Sequence, residues 1–512
     1  MPAINKPEKS KQKIAMLGFD AAELSYIQEH LPMLPNFKRA LSCGRLSRLS
    51  SPAQMFPGSV WPTFYTATDP GEHGIHHLMQ WDADAMRLRR VSGEWLPNEP
   101  FWRELERRGL RVIALDVPMA FPPKECAGVE VSSWGAHDQI NLFTAYPREL
   151  RTEILRRFGD HPMGIEVPVD KSLSERMRVR KNLVSGVAIK GEMIRWLLTS
   201  RPWEFFIAIF GESHRGGHIL WPDDADGEST TPASALLDVY RALDEALGNI
   251  LATIDLKNTT VIIFALHGMG ANLSQEHFVT PLMDRVNAKF GELEPGLFPA
   301  GHAPPQRSAM RFLRENVPPW IQSKIANLVP QQIRDAVVDR QFTSGRDWPH
   351  TPGLALRADN NGYIRFNVAG RERQGMLERG SRSLACYSDL VRESFSSLRT
   401  PDGKRVSGDV YFSSEIFPGE RMHFLPDLIV TWSGLEPASR AESTLGTLVA
   451  EMDTGRGGNH RGVGFQIVLR PGAEQAGREH SSDRQFAISE LVPMVLRAFS
   501  DDGGGSGFGD VI

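Results

Sequence analysis

A pair of histidines four residues apart is the first feature of this sequence that could do chemistry. His214 and His218 follow the apolar segment FFIAIF, and one helical turn would place both imidazoles on the same face of a helix. Such a pair suits a divalent metal ion, because neutral imidazole is a common zinc ligand. His460, in the turn-forming sequence GGNHRG, could bring a third imidazole to the same ion. A chance pair among the 15 histidines of the chain stays an alternative.

Three more polar residues come directly after apolar segments. Asp20 follows IAMLGF, His267 follows TVIIFAL, and Glu212 comes two residues after FFIAIF. Open α/β sheets bind ligands beyond the carboxyl ends of their strands. Each residue alone says little, because a lone histidine is more often structural. Their recurrence at predicted strand ends favours a site, to which Glu212 would add a carboxylate if the strand continued through it.

Ser59 is the residue that could act as a nucleophile. It follows Pro57 and Gly58, which are typical of a turn, and we expect it to cap a helix that begins at about Trp61. An ordinary cap is one interpretation. A serine at a helix start also lies where backbone amides can hold an anionic ester, and a neighbouring metal ion could lower the pKa of its hydroxyl.

The elements that would position these residues alternate between strands and helices. Apolar segments of strand length are separated by helical patterns, including leucines and isoleucines at helical spacing from 236 to 254. Strands that are apolar on both faces predict a mostly parallel α/β sheet covered by helices on both sides. The segments concerned are 14–19, 111–117, 205–210 and 260–266 for strands, and 38–43, 101–108 and 236–254 for helices.

One stretch departs from this alternation. Residues 275–350 are rich in proline and arginine, and we interpret them as a cap inserted into the core domain. Further strands are expected at 363–368 and 427–432. The predicted organisation is a flexible tail at 1–13, a catalytic domain at 14–500 and a glycine-rich flexible tail at 501–512.

Charge and hydropathy exclude some classes of partner. The net charge is −4, without long runs of one sign, so neither nucleic acid nor an anionic membrane is expected to bind. No apolar run approaches the ~20 residues of a membrane span, and the first residues lack the apolar stretch of a secretory signal. A soluble, cytoplasmic protein is therefore expected. Its oligomeric state is not predictable from the sequence.

Eight motifs, in order along the chain, resemble the type I phosphodiesterase/nucleotide pyrophosphatase branch of the alkaline phosphatase superfamily. The resemblance extends from about residue 14 to about residue 470, and its TxxxPxxHG and HGMG elements are fairly specific together. The motifs are GFDAAE, WPTFYTATDPGEHGI, RVIALDVPMAFPP, FGESHRGGHILW, ALHGMGAN, NGYIRFNVAGRERQG, PDLIVTW and GGNHRGVGF.

The resemblance implies an alkaline-phosphatase-like α/β sheet with two metal ions, usually zinc, at the strand ends. A Thr or Ser nucleophile would bridge the ions and form a covalent intermediate that water then cleaves. Asp20 and His267 match ligands of the ion beside the nucleophile. His218 and His460 match ligands of the other ion.

Three positions depart from the family pattern. His214 replaces the Asp of an Asp-x-x-x-His motif, and Leu266 replaces the Asp of an Asp-His pair. The family spacing places the nucleophile at Pro57, which cannot act. Ser59, two residues later, is therefore our candidate, and Thr63, inside the predicted helix, is the fallback.

These residues predict a metal-dependent hydrolase or phosphotransferase acting on a small phosphomonoester or phosphodiester. One ion, zinc or another divalent metal such as Mn²⁺, would be held tightly by His214, His218 and His460. A second ion at Asp20 and His267 would be weak or absent. A binding or regulatory protein on a decayed fold is the alternative, since Leu266 cannot ligate a metal. A sulfatase is less favoured, because no Cys/Ser-x-Pro-x-Arg motif is present.

Overall fold

The fold was analysed in a computed structural model of the 512-residue chain. The described residues are 12–121, 125–136, 142–164, 172–222, 234–299, 330–343, 346–356, 358, 360–450, 455–472 and 484–500. Most of the predicted N-terminal tail and all of the predicted glycine-rich tail lie outside these ranges. In the described part of the chain, no helix is long and apolar enough to cross a membrane.

The described strands fall into one large sheet and several smaller ones. In chain order they are β1 (Lys13–Phe19), β2 (Arg45–Ser50), β3 (Met79–Asp82), β4 (Arg87–Arg90), β5 (Val112–Leu115), β6 (Val129–Ser132), β7 (Thr144–Tyr146), β8 (Phe205–Phe210), β9 (Thr259–Ala265), β10 (Gly268–Ala271), β11 (Gly353–Leu356), β12 (Gly362–Phe366), β13 (Ser407–Phe412), β14 (Leu428–Trp432), β15 (Arg440–Ser443), β16 (Gly446–Val449), β17 (Gly458–Arg461), β18 (Val463–Leu469) and β19 (Gln485–Ala487).

The described α-helices range from single turns to a helix of 28 residues. In chain order they are α1 (Leu24–Glu29), α2 (Pro35–Cys43), α3 (Val60–Thr66), α4 (Pro70–His73), α5 (Trp102–Arg107), α6 (Arg148–Phe158), α7 (Leu173–Ser200), α8 (Glu212–Leu220), α9 (Ser234–Leu251), α10 (Val279–Leu293), α11 (Gln331–Thr343), α12 (Arg382–Ser396), α13 (Ser413–Ile416) and α14 (Leu491–Ala498).

The central sheet has the strand order β19-β2-β18-β9-β1-β8-β5-β6-β7 among the described strands. β1 lies between β8 and β9 and runs parallel to both. β5 and β6 continue the parallel part, whereas β18 and β7 run antiparallel to their neighbours. This mostly parallel sheet with helices on both faces confirms the predicted fold class. The strands predicted from apolar runs are present within one or two residues of their expected ends.

The two faces of β1 show why this part of the chain forms a doubly covered sheet. Ala15, Leu17 and Phe19 pack into one apolar cluster, formed with residues of α2, α7 and α9. Ile14 and Met16 point to the other face and pack with residues of α3, α5 and α14. Successive strand residues point to opposite faces, so an unbroken apolar run must be covered on both sides.

A second apolar core lies outside the central sheet. The antiparallel strands β11, β12, β14 and β13 form a four-stranded sheet, against which α10 and α12 pack. The strands expected at 363–368 and 427–432 are β12 and β14 of this second sheet. The proposed cap of 275–350 contributes α10 and α11, and residues 300–329 of it lie outside the described ranges. Its boundaries stay a prediction.

Candidate metal centre

The predicted ligands meet at the carboxyl edge of the parallel strands. Asp20 directly follows β1, and His267 lies two residues beyond Ala265, the last residue of β9. Because the two strands are parallel neighbours, their carboxyl ends lie side by side. His460 arrives on β17, which pairs with β10 so that His460 lies opposite Met269. The sheet therefore brings residues from distant parts of the chain to one place.

His214 and His218 lie on α8, as their spacing predicts. Their Nε2 atoms are 3.0 Å apart, so both rings are on one face of the helix. The helix approaches the antiparallel pair of β10 and β17 closely at two glycines. A Cβ at Gly217 would be 2.7 Å from the Met269 side chain, and one at Gly458 would be 2.2 Å from the Gly217 carbonyl oxygen. Glycine at both positions is what allows His218 and His460 to meet.

Two overlapping groups of side chains could each hold a metal ion. The first contains Asp20, His214 and His267, and the second contains His214, His218 and His460. Within each group the candidate ligand atoms lie within 4.8 Å of one another, and all five side chains are buried. Imidazole and carboxylate ligands at this density suit zinc and other first-row divalent ions.

His214 belongs to both groups. Its Nδ1 is 2.6 Å from an Asp20 carboxylate oxygen, while its Nε2 faces His218. A neutral imidazole carries one N–H and one lone pair. His214 can therefore complete one group or the other, but not both at once. This sharing supports the expectation of one tightly held ion.

The hydrogen bonds of the histidines fit metal ligation. Nδ1 of His218 donates to the Gly458 carbonyl at 2.8 Å, and Nδ1 of His267 donates to the Gly268 carbonyl at 3.1 Å. Each bond leaves the lone pair on Nε2, the tautomer a metal ligand needs. The buried Nδ1 of His460 has no hydrogen-bond partner among the described residues. Orphaned buried polar atoms are rare, and an ion within the group would give this ring a partner.

The surroundings shift the pKa of two of the candidate ligands, Asp20 and His460. Burial raises the pKa of Asp20, but the charges and hydrogen bonds of His214 and His267 outweigh it and hold the pKa well below its ordinary value. Trp61 Nε1 also donates to Asp20 at 3.0 Å. Burial, together with neighbouring histidines, holds the pKa of His460 well below its ordinary value. An ionised carboxylate and neutral imidazoles are the forms that bind metal.

Glu212 does not join the five ligands. The premise that the strand continues through it is wrong, because α8 begins at Glu212. Positions two apart on a helix point in different directions, unlike on a strand. Its carboxylate instead accepts a hydrogen bond from His161 Nε2 at 2.9 Å and lies 3.4 Å from Lys190 Nζ.

Leu266 is fully buried and packs in one of the two main apolar clusters.

The two candidate nucleophiles are engaged elsewhere. Ser59 occupies the N-cap position of α3, as predicted, but its side chain makes no capping bond. Its Oγ donates instead to the Phe56 carbonyl at 2.8 Å. Thr63 Oγ1 is 3.0 Å from His73 Nε2. Neither residue lines the cavity at the ligands. None of its described lining residues carries a hydroxyl. They are Asp20, Pro57, Gly58, Trp61, Pro118, Met119, His214, His267, Arg456 and His460.

Two residues near the site were missed by sequence reasoning. Asp116 directly follows β5, and the strand-end argument applied to Asp20 and His267 would have found it. Its carboxylate is 3.1 Å from Lys190 Nζ and accepts bonds from the Trp134 and Gly135 amides. Arg456 lines the cavity from the loop before β17. No periodic pattern marks an arginine in such a loop.

Comparison with known proteins identifies the family of the chain. The profile of the type I phosphodiesterase/nucleotide pyrophosphatase family matches residues 14–430. Human ectonucleotide pyrophosphatase/phosphodiesterase 5 is similar in structure, with a TM-score of 0.50, 11% identity and 95% of each chain covered. Phosphonoacetate hydrolase from Sinorhizobium meliloti 1021 has a TM-score of 0.48, 12% identity and 96% coverage of each chain. No curated protein matches the sequence significantly. At such identities the human structure supports the fold alone.

Proposed function

The chain belongs to the type I phosphodiesterase/nucleotide pyrophosphatase family, and from this membership we propose that it hydrolyses small phosphate esters with the help of a divalent metal ion. As a member, the protein is an enzyme that hydrolyses phosphoester bonds. The proposal adds the metal dependence, the residues that hold the metal and the nucleophile. Membership and the retained ligands favour an enzyme over a decayed binding protein.

The observation that carries the proposal is the meeting of five buried ligands at the strand ends. His214, His218 and His460 would hold the tighter ion, which we propose to be zinc. Asp20 and His267 would hold a second ion weakly, since His214 is shared and Leu266 offers no ligand. A bound divalent ion supplies Lewis-acid stabilisation of the phosphoryl oxygens and of the attacking group. Three imidazoles favour zinc for the tighter ion, and Mn²⁺ is the alternative.

Ser59 is the proposed nucleophile, and Thr63 stays the fallback. Gly58, the residue before Ser59, lines the cavity, so the Ser59 backbone is adjacent to the site. Its hydroxyl would have to leave the Phe56 carbonyl and rotate about χ1 to reach a substrate. Thr63 is one turn into α3, and its hydroxyl is held by His73. Ser59 therefore needs the smaller rearrangement.

Metal analysis combined with an ester panel tests the function. Protein purified without added metal is assayed with chromogenic phosphomonoesters, phosphodiesters, sulfate esters and carboxyl esters, before and after a chelator. We expect hydrolysis of the phosphate esters that chelation abolishes and zinc restores. Robust carboxylesterase activity without phosphoesterase activity would contradict the proposal. Preferential hydrolysis of sulfate esters would favour the sulfatase alternative. The cytoplasmic location stays a prediction.

A further inference from the structure

We propose that Asp20 is a positioning carboxylate that orients His214 toward the tighter ion, and that Trp61 holds Asp20 for this task. The tighter ion is the one assigned above to His214, His218 and His460. The inference rests on the proposed function and deepens it, because the family pattern implies only that Asp20 is itself a ligand. Three observations carry it: the orientation of the His214 ring, the lone pair that His218 presents, and the bonds that hold Asp20.

The orientation of the His214 ring follows from its contact with Asp20. Its Nδ1 is 2.6 Å from the Oδ2 atom of Asp20, and an ionised carboxylate can only accept a hydrogen bond. Nδ1 therefore carries a proton, and in a neutral ring Nε2 keeps the lone pair. Histidines that bind a metal ion commonly donate their other ring N–H to a carboxylate in this way. The bond thus commits His214 to bind an ion through Nε2, on the side of His218.

His218 presents its own lone pair on the same side. Its Nδ1 donates to the Gly458 carbonyl, so Nε2 is the ligand atom of the neutral ring. The Nε2 atoms of His214 and His218 are 3.0 Å apart. Without a proton on either atom they cannot hydrogen-bond to each other, whereas a shared cation can accept both lone pairs. The Asp20 bond therefore assigns His214 to the ligand group that contains His218 and His460.

Asp20 is held through its backbone and through both carboxylate oxygens. Its amide donates to the Phe210 carbonyl at 2.9 Å, and Ser213 Oγ donates to its carbonyl at 2.7 Å. Trp61 Nε1 donates to Oδ1 at 3.0 Å, while Oδ2 faces His214. The carboxylate cannot rotate without losing one of these two side-chain bonds. Its commitment to both also fits the weak second ion proposed above.

Trp61 is a fixed donor at the edge of the cavity. Its side chain is only 5% exposed and packs edge-on against Phe64 and Phe264. It lines the same cavity as Asp20. An indole has one N–H and no acceptor atom, so toward the carboxylate of Asp20 it can only donate.

Asp20→Asn and Trp61→Phe test the arrangement, singly and together. Asparagine keeps the side-chain shape but has one oxygen for two donors, so its NH₂ group must face the N–H of either Trp61 or His214. In the double variant the indole donor is gone, and the amide oxygen can serve His214 alone. The Kd of the tighter zinc ion is measured at one pH by competition with a chromogenic chelator. The melting temperature of the metal-free protein reports stability.

Two controls separate positioning from ligation and from packing. His267→Ala removes a member of the Asp20 group that is absent from the group with His218 and His460. Trp102→Phe removes another buried indole donor, which is bonded to the Glu130 carboxylate at 3.3 Å, and Glu130 belongs to neither ligand group. Both controls should keep the zinc Kd of wild type.

The expected losses of zinc affinity differ between the variants. Asp20→Asn should weaken binding by about 10- to 100-fold, the usual effect of disturbing the partner of a metal-ligating histidine. Trp61→Phe should weaken it by about 2- to 10-fold, the net contribution of one hydrogen bond. In the Trp61→Phe background, the further loss from Asp20→Asn should be at least about twofold smaller than in wild type, because the amide no longer faces two donors.

Wild-type zinc affinity in Asp20→Asn, as in His267→Ala, would mean that Asp20 serves only a second ion and would overturn the inference. Additive losses in the double variant, or equal losses in Trp61→Phe and Trp102→Phe, would overturn the role of Trp61.

The zinc titration also separates this inference from the proposed function. If wild type binds zinc but hydrolyses no phosphate ester, the function fails while the titration still decides the roles of Asp20 and Trp61. A wild type that binds no zinc contradicts both. Should Asp20→Asn not fold, a loss of affinity in Trp61→Phe but not in Trp102→Phe supports the inference, and wild-type affinity in Trp61→Phe overturns it.

Discussion

Nδ1 of His214 lies 2.6 Å from a carboxylate oxygen of Asp20, across 194 residues of chain. In the family pattern that the sequence resembles, a carboxylate stands at the position of His214. His214 therefore places an imidazole next to the carboxylate of Asp20. This contact links the two candidate ligand groups through one ring and makes their occupancy interdependent.

Replacing the shared ring should remove the tight ion. We expect wild type to keep about one equivalent of zinc per chain after gentle dialysis, since three imidazoles and an open position make a catalytic zinc set. His214→Ala should lose it, because both groups lose a ligand. Elemental analysis by mass spectrometry measures the content.

His350→Ala is the control for the metal measurement. His350 is bonded to Asp347 at the surface and belongs to neither ligand group, so its variant should keep the ion. Two equivalents that survive chelator dialysis would show that another ligand replaces the missing aspartate.

Removal of the Ser59 hydroxyl should stop turnover. Ser59→Ala deletes the proposed nucleophile, and a loss of roughly 10³-fold or more in kcat is expected, as for other nucleophile deletions. Metal content should not change, because Ser59 is bonded to the Phe56 carbonyl and not to a ligand. Steady-state kinetics with an activated aryl phosphate measures the effect.

Thr63→Val is the counterpart, since it removes a hydroxyl from α3, four residues after Ser59, while keeping the side-chain shape. It should keep most of the activity. If Thr63→Val is inactive and Ser59→Ala is active, the nucleophile is Thr63, one helical turn beyond the proposed position.

Lys190 should be important for stability. Its ammonium is fully buried, 3.1 Å from Asp116 and 3.4 Å from Glu212, and it also donates to the Ile209 carbonyl. Lys190→Met leaves two buried carboxylates without their cation, which should lower the free energy of unfolding by about 3–5 kcal/mol. Urea denaturation measures the loss.

Lys289→Met is the matched surface control. Lys289 makes an exposed pair with Glu292, and such pairs contribute about 0–1 kcal/mol. If Lys190→Met and Lys289→Met lower the free energy of unfolding equally, the buried contacts of Lys190 with Asp116 and Glu212 do not stabilise the fold.

Acid should weaken the fold partly through Glu212. Burial raises the pKa of its carboxyl, but the Lys190 ammonium and His161 outweigh burial and lower the pKa to about 2. Since the folded pKa is depressed, the stabilisation is present above the unfolded pKa of about 4.3 and is lost as pH falls through about 2. Unfolding free energy, measured by urea at a series of pH values, should therefore fall less steeply over this window in Glu212→Gln than in wild type. Parallel curves would contradict the assignment.

Sequence reasoning recovered the parts of the site that depend on regular structure. Asp20 and His267 follow apolar strands, and His214 and His218 share a helix face, so strand ends and helical spacing were enough to find them. Glu212 was misplaced because one residue decides where a strand gives way to a helix. Side chains two residues apart point the same way on a strand but not on a helix, so the start of α8 decides where Glu212 points.

Other parts of the site depend on contacts that no local pattern encodes. The Ser59 hydroxyl donates to a carbonyl three residues back rather than capping α3. The loop that brings Arg456 to the cavity accepts a bond from the Asn272 side chain and donates one to the His218 carbonyl. Both partners are remote from this loop in sequence. The second sheet could be predicted only as separate strands, since their pairing is set by long-range contacts.

The long chain separations within the site have a consequence for biosynthesis. His218 is oriented by a carbonyl 240 residues further along the chain, and His460 follows that carbonyl by two positions. Once β1, α8 and β9 have been synthesised, the centre of the sheet can pair. The chain then still lacks the imidazole of His460 and the Gly458 carbonyl that orients His218. Tight capture of the proposed ion would then have to wait until β17 is made and packed against α8. Metal uptake during synthesis would thus mark the completion of the fold rather than its nucleation.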